Sequence, residues 1–206
     1  IVTNQLESID TIDGGLGTDT ITFSSNTGSV VDLDFSNISN VEKFTTADGT
    51  NSLTLGTKAD DSGLATVTGG GGVDTINASA FAGALTIASG GGADVITTQS
   101  GNYSLSVDAG AGADGITTVG AQLTSADTID GGADTDTITL SADAATIVDA
   151  DFTKISNVEK FTTANGANNL TLGTKADGSG LATVTGGDDA DTINASAFAG
   201  ALTVAS

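Results

Sequence analysis

The strongest constraint on the fold is an internal repeat. Gln5 to Ser89 aligns without a gap on Gln122 to Ser206, an offset of 117 residues (122 less 5). Roughly three quarters of the aligned positions are identical, and Ser39 to Ala47 recurs unchanged at Ser156 to Ala164. Gly90 to Ala121 occurs once. Near-identical units in tandem call for a stacked architecture, because each unit buries its apolar face only against its neighbour. We therefore divide the chain into 1–121, the first repeat cycle, and 122–206, a truncated second copy, within one continuous solenoid.

A shorter period runs inside the long one. Aspartates that precede a small apolar-centred motif fall at Asp19, Asp74, Asp94, Asp114, Asp136 and Asp191, with Asn51 and Asn168 at weaker copies. From Asp19 the intervals are 32, 23, 20, 20 and 22 residues. An interval near 20 matches one coil of a β-solenoid. Thr20 to Phe23, Leu53 to Leu55, Leu85 to Ile87 and Leu105 to Val107 alternate apolar with polar residues, which puts one face of each strand toward a narrow core. The expectation is an all-β fold, a parallel β-helix or β-roll of about 20-residue coils with glycine-rich turns along one edge. Nine or ten such coils at the usual strand spacing make a rod of roughly 45 Å. The one helix candidate is a single turn at Asp34 to Ile38 and its copy, Asp151 to Ile155.

Composition narrows the chemistry. Five Lys and Arg against 26 Asp and Glu give a formal net charge of −21, which repels nucleic acid and anionic membranes and suits cations. With 38% apolar residues the chain is not hydrophobic-poor in the way of disordered acidic segments. His, Cys, Met, Trp and Pro are absent, which removes disulfides, thiolate metal sites and histidine- or cysteine-based catalysis. A chain that starts on Ile1 is expected to be a piece of a longer protein.

The turns carry the chemistry. Gly14, Gly15, Gly17 and Asp19 fit G-G-x-G-x-D-x-U-x at every fixed position, as do Gly69, Gly70, Gly72 and Asp74. Four near matches follow: Gly90, Gly92 and Asp94; Gly110, Gly112 and Asp114; Gly131, Asp134 and Asp136; Gly186, Asp189 and Asp191. Ser89 and Ala109 replace the first glycine in two of them, and Asp134 and Asp189 the third in the others. Glycine permits the positive φ of a turn that gathers carbonyl oxygens, and aspartate adds a carboxylate. Ca2+ takes about six to eight such oxygens. These residues are the candidate metal ligands. Asp188 also replaces a turn glycine; Asp10, Asp13, Asp108, Asp127 and Asp130 lie beside the turns, where solvated surface charge is the simpler reading. Asn51 and Asn168 lack the carboxylate and suggest gaps or weaker sites. Glu42-Lys43 and Glu159-Lys160 read as an exposed strand pair.

In these motifs the sequence resembles the repeats-in-toxin (RTX) family, whose stacked turns sandwich calcium outside the cell. The resemblance implies calcium as cofactor and coupling of folding to binding. It differs from arrays with a motif every nine residues, so a single ion row is expected. No pair of carboxylates interrupts the repeat as a catalytic cleft would, so no enzyme is expected. Together with the long repeats, the pattern resembles bacterial surface-layer proteins and giant surface adhesins. That implies an extracellular, calcium-stabilised structural protein of a surface layer, filament or adhesin stalk, with contacts between copies of itself. The alternative is a calcium-triggered folding and export module of a secreted enzyme or toxin.

Overall fold

A computed structural model describes residues 2–3, 5–24, 28–101, 103–119, 122–143 and 145–205. Ala121, the boundary between the two cycles, lies outside them. The chain winds as an all-β parallel solenoid of about eight turns, fewer than the nine or ten expected. Short strands stack in register, and two sheets face each other across the core. The first has eight strands among the described residues, from Val2–Thr3 and Thr20–Phe23 through Thr86–Ala88 to Ile155–Ser156. The second has nine, from Gly28–Val30 to Thr203–Ala205. Thr146–Ile147, Asn169–Thr171 and Thr192–Asn194 form a further three-stranded sheet.

Most strands contribute one inward apolar residue, Thr20–Phe23 and Thr137–Leu140 two, and these align rung on rung. Ile21 pairs with Phe44, Phe44 with Val67 and Val67 with Ile87 in the first sheet. Leu53, Ile76, Ile96 and Ile116 do the same in the second. All of these side chains are buried, which contributes about 1.5–3 kcal/mol each. The first sheet's core widens at Phe44, whose ring meets Phe23 at 5.0 Å and Phe35 at 5.8 Å, both edge-on.

Coil length is not constant. Register steps are 20 residues in the middle (Thr66 to Thr86 to Ser106), 23 from Lys43 to Thr66 and 26 from Ile129 to Ile155. The extra residues build helical turns. The expected single turn exists as a 3-10 helix at Asp32–Phe35, repeated at Asp149–Phe152. Two five-residue α-helices, Thr57–Asp61 and Thr174–Gly178, show no apolar periodicity in the sequence. They form because a carboxylate one coil earlier brackets their first turn. Asp32 Oδ1 accepts from the N–H groups of Gly56 at 2.7 Å, Ala59 at 2.9 Å and Lys58 at 3.1 Å, and Asp149 repeats the arrangement on Gly173, Ala176 and Lys175. Three otherwise orphaned helix N-terminal donors thus share one acceptor.

The long repeat and the coil are out of step. Thr20–Phe23 lies in the eight-stranded sheet, yet its repeat-mate Thr137–Leu140 lies in the nine-stranded one. Lys43–Thr45 and Lys160–Thr162 are split in the same way. The 117-residue cycle therefore spans five coils and a half, and the second copy is turned about the solenoid axis relative to the first. This also explains the odd 32-residue interval. Asp19 stands where the chain enters the eight-stranded sheet, whereas Asn51 stands where it enters the nine-stranded one.

Candidate metal centre: the aspartate turns

Four aspartate turns, 69–74, 89–94, 109–114 and 131–136, stack where the chain leaves the eight-stranded sheet for the nine-stranded one. A single ladder was expected for all six. The turns 14–19 and 186–191 instead lie on the opposite edge, because the long repeat shifts by half a coil.

One hydrogen bond repeats along the stack. Each aspartate turns inward and takes the N–H of the residue one coil earlier. Asp74 N–H donates to Asp94 Oδ1 at 2.7 Å, Asp94 N–H to Asp114 Oδ1 at 2.7 Å, and Asp114 N–H to Asp136 Oδ1 at 2.8 Å. These four carboxylates are at most 2% exposed. Their second oxygens differ. Oδ2 of Asp94, Asp114 and Asp136 is buried without a hydrogen-bond partner, and so is Oδ2 of Asp19 on the other edge. Asp74 Oδ2 instead accepts from Gly70 N–H at 3.1 Å, and Asp191 Oδ2 from Gly187 N–H at 3.0 Å.

Backbone conformation sorts the turns identically. Gly15 and Gly17, Gly90 and Gly92, Gly110 and Gly112, and Gly132 and Asp134 all have positive φ, from 80° to 126°. Gly69, Gly70 and Gly72, and Gly186, Asp189 and Asp191, do not share it. Gly69 to Asp74 is a full match to the motif, yet it adopts the other form, and imperfect matches adopt the form with an orphaned oxygen. The cause is the neighbour. Asn51 and Asn168 lie one coil before Asp74 and Asp191. Asn51 Nδ2 donates to Ala47 O, Gly49 O and Asp74 Oδ1, so an amide nitrogen occupies the 47–51 turn and meets the Asp74 carboxylate from one coil earlier. Asn168 does the same with Ala164 O, Gly166 O and Asp191 Oδ1. The asparagines therefore mark turns closed by an internal donor.

Glycine is required between stacked turns by contact as well as by φ. A Cβ on Gly110 would lie 1.9 Å from Gly90 O, and one on Gly112 2.0 Å from Gly92 O. Close approach keeps the carbonyls of successive turns in a column beside the carboxylates. Among the described residues no three carboxylates converge on one point, so an ion here would draw much of its coordination from backbone oxygens.

Charge makes the same case. Burial pushes the Asp114 carboxyl up to about 6, with Asp94, Asp136 and Asp134 adding like charge and the Asp94 N–H opposing. Burial also raises Asp94, and it raises Asp136, where Glu159, Asp134 and Asp130 add repulsion. Asp191 goes the other way: burial works upward, but hydrogen bonds from Asn168, Gly187 and Thr163 outweigh it. An orphaned, buried, mutually repelling row of carboxylate oxygens beside carbonyls fits a hard divalent cation.

The RTX calcium-binding nonapeptide repeat model matches residues 7–26, 66–84, 86–105, 123–147 and 178–199, just over half of the chain. The chain belongs to the RTX calcium-binding repeat family. Calcium is its cofactor, and the solenoid is a calcium-dependent structural module of the β-roll type. No curated protein and no solved structure matches it. The RTX turn 109–114 falls between matched segments but repeats the hydrogen bond and φ pattern of its neighbours. Asp188 and Asp189, expected inside a turn, are exposed. Asp13 Oδ1 takes Gly15 N–H at 3.1 Å and Asn40 Nδ2 at 2.7 Å, and so braces its turn.

Proposed function

We propose that this RTX solenoid is an extracellular structural module, part of a surface layer, filament or adhesin stalk, whose coils are locked by calcium. The observation that carries the reading is the row of buried, partnerless Oδ2 atoms at Asp94, Asp114 and Asp136, with Asp19 as its counterpart on the other edge. Calcium bound there would be held by those carboxylates and by the turns of Gly90 and Gly92, Gly110 and Gly112, Gly131 and Asp134, and Gly14, Gly15 and Gly17. Gly69, Gly70, Gly72 and Asp74, with Gly186, Asp189 and Asp191, are assigned a weaker or ion-free role, since Asn51 and Asn168 already satisfy them. The module acts by stiffness rather than by chemistry. Neutralising each row relieves repulsion between coils and fixes their spacing.

Contacts between copies belong to the same reading. No helix among the described residues is long and apolar enough to cross a membrane. Circular dichroism and light scattering in excess chelator, followed by titration with calcium against magnesium, test the proposal. β-Signal and compaction that require calcium support it, with growth in scattering marking end-to-end contact. A chain fully folded in chelator and indifferent to calcium would sink it.

A further inference from the structure

The ladder of acceptors does not stop at the last aspartate. Asp136 N–H donates to Glu159 Oε2 at 2.9 Å, the bond that every earlier rung makes to an aspartate. The other edge repeats it: Asp19 N–H donates to Glu42 Oε2 at 2.8 Å. Glu42 and Glu159 therefore occupy the rung after Asp19 and Asp136, contrary to the exposed strand pair expected from the sequence. Both are only partly exposed.

We propose that Glu159 and Glu42 are terminal carboxylate ligands, each completing the calcium site of the preceding turn. This rests on the reading of the aspartate turns as calcium sites. The coil that bears Glu159 has no G-G-x-G turn. It crosses the edge by Asn157, at φ 52°, whose Nδ2 binds Asp130 Oδ1 at 2.7 Å. Asn40, at φ 51°, does this for Glu42. So abbreviated a turn brings one carbonyl over the site, Asn157 O against Gly131 and Asn40 O against Gly14, each 1.9 Å from where a Cβ would stand. The longer side chain of glutamate reaches the rung beside that carbonyl and adds a carboxylate where the other rungs carry an aspartate. Asp136 Oδ2, buried and without a partner, lies against Gly131, where a Cβ would stand 2.7 Å away. Glu159 heads the like charges that act on Asp136, followed by Asp134 and Asp130. Among the described residues the one ion pair is Lys58–Asp61, so no lysine neutralises this group.

The test is to count bound calcium by equilibrium dialysis and native mass spectrometry in the unaltered chain, Glu159→Gln, Glu42→Gln and the double variant. Glutamine keeps an acceptor for the Asp136 or Asp19 N–H but removes the charge. Each single variant is expected to lose one ion, or to weaken one site at least tenfold, and the double variant to lose two. In chelator the variants should melt no lower than the parent, because repulsion is relieved. Glu159→Asp, which keeps the charge but shortens the reach, should lose the same site. If all variants bind the parent's number of ions with the parent's affinity, the glutamates are hydrogen-bond caps and the inference falls while the calcium sites stand. A parent chain that binds no calcium would remove both.

Discussion

Asn51 donates its side-chain amide to Asp74 Oδ1 at 2.8 Å, whereas one coil on the equivalent oxygens of Asp94 include one with no partner at all. The amide nitrogen sits among the oxygens that a cation would otherwise gather. Asn51→Asp should therefore convert a closed turn into an open one. The expected result is one more bound calcium by native mass spectrometry and a lower melting temperature in chelator. Three hydrogen bonds are lost, at roughly 1 kcal/mol each, and a fifth carboxylate joins the row.

Asp114, like Asp94, is flanked by ladder aspartates on both sides, and its carboxyl is pushed up to about 6, so removing its charge is a sharp test. Asp114→Asn keeps an acceptor for the Asp94 N–H. Calcium should stabilise this variant far less than the parent, while in chelator it should be as stable or more so. Asp74→Asn should change the calcium response little. Thermal melts with and without calcium separate the two, and equal responses would refute the division of the turns into two classes.

Stability should depend on pH in opposite senses with and without calcium. Asp94, Asp114 and Asp136 have carboxyls raised above their ordinary value of 3.8, with Asp114 at about 6. The folded chain thus holds protons that the unfolded chain releases. Their contribution is fully present below about pH 4 and is lost as pH rises through about 6. In chelator the melting temperature should fall between pH 4.5 and about 7. In saturating calcium, protons compete with the ion, so over the same range it should rise.

Gly112→Ala places a Cβ 2.0 Å from Gly92 O at a φ of 126°. Backbone strain of about 1–3 kcal/mol adds to the cost of separating two turns. The expected outcome is a large drop in the urea midpoint together with weakened calcium binding. Gly178→Ala, where nothing lies within 4 Å and φ is not positive, is the control and should be neutral.

Asp32→Ala leaves the N–H groups of Gly56, Lys58 and Ala59 without their shared acceptor. The cost should be about 1–3 kcal/mol by urea unfolding. It should not alter the number of calcium ions bound, because the donors that Asp32 accepts from belong to Gly56, Lys58 and Ala59 and to no aspartate turn.

Much of this was legible in the sequence because repetition and period-two alternation act on every coil alike. The strands around Ile21, Ile76, Ile87 and Ile96 stand where alternation puts them, and Asp74 and Asp94, two residues before Ile76 and Ile96, turn inward. What escaped depends on relations between coils. Nothing around Glu42 announces that it occupies an aspartate's rung, since its turn lacks glycines and only the register across 23 residues reveals it. The helix at Thr57–Asp61 is held by Asp32, which no local pattern links to it. The closed form of the Asp74 turn goes with the amide of Asn51, and its own four glycines do not announce it. The two edges were hidden because a linear count of intervals does not distinguish a coil from a coil and a half.

That half coil has a consequence for recognition. A patch borne by one cycle, such as the outer faces of Lys43 and Thr45, reappears as Lys160 and Thr162 on the reverse side of the rod. Front and back therefore offer the same chemistry at different heights. A partner approaching from either side meets an equivalent surface, so such a rod needs no particular rotation about its long axis in order to engage.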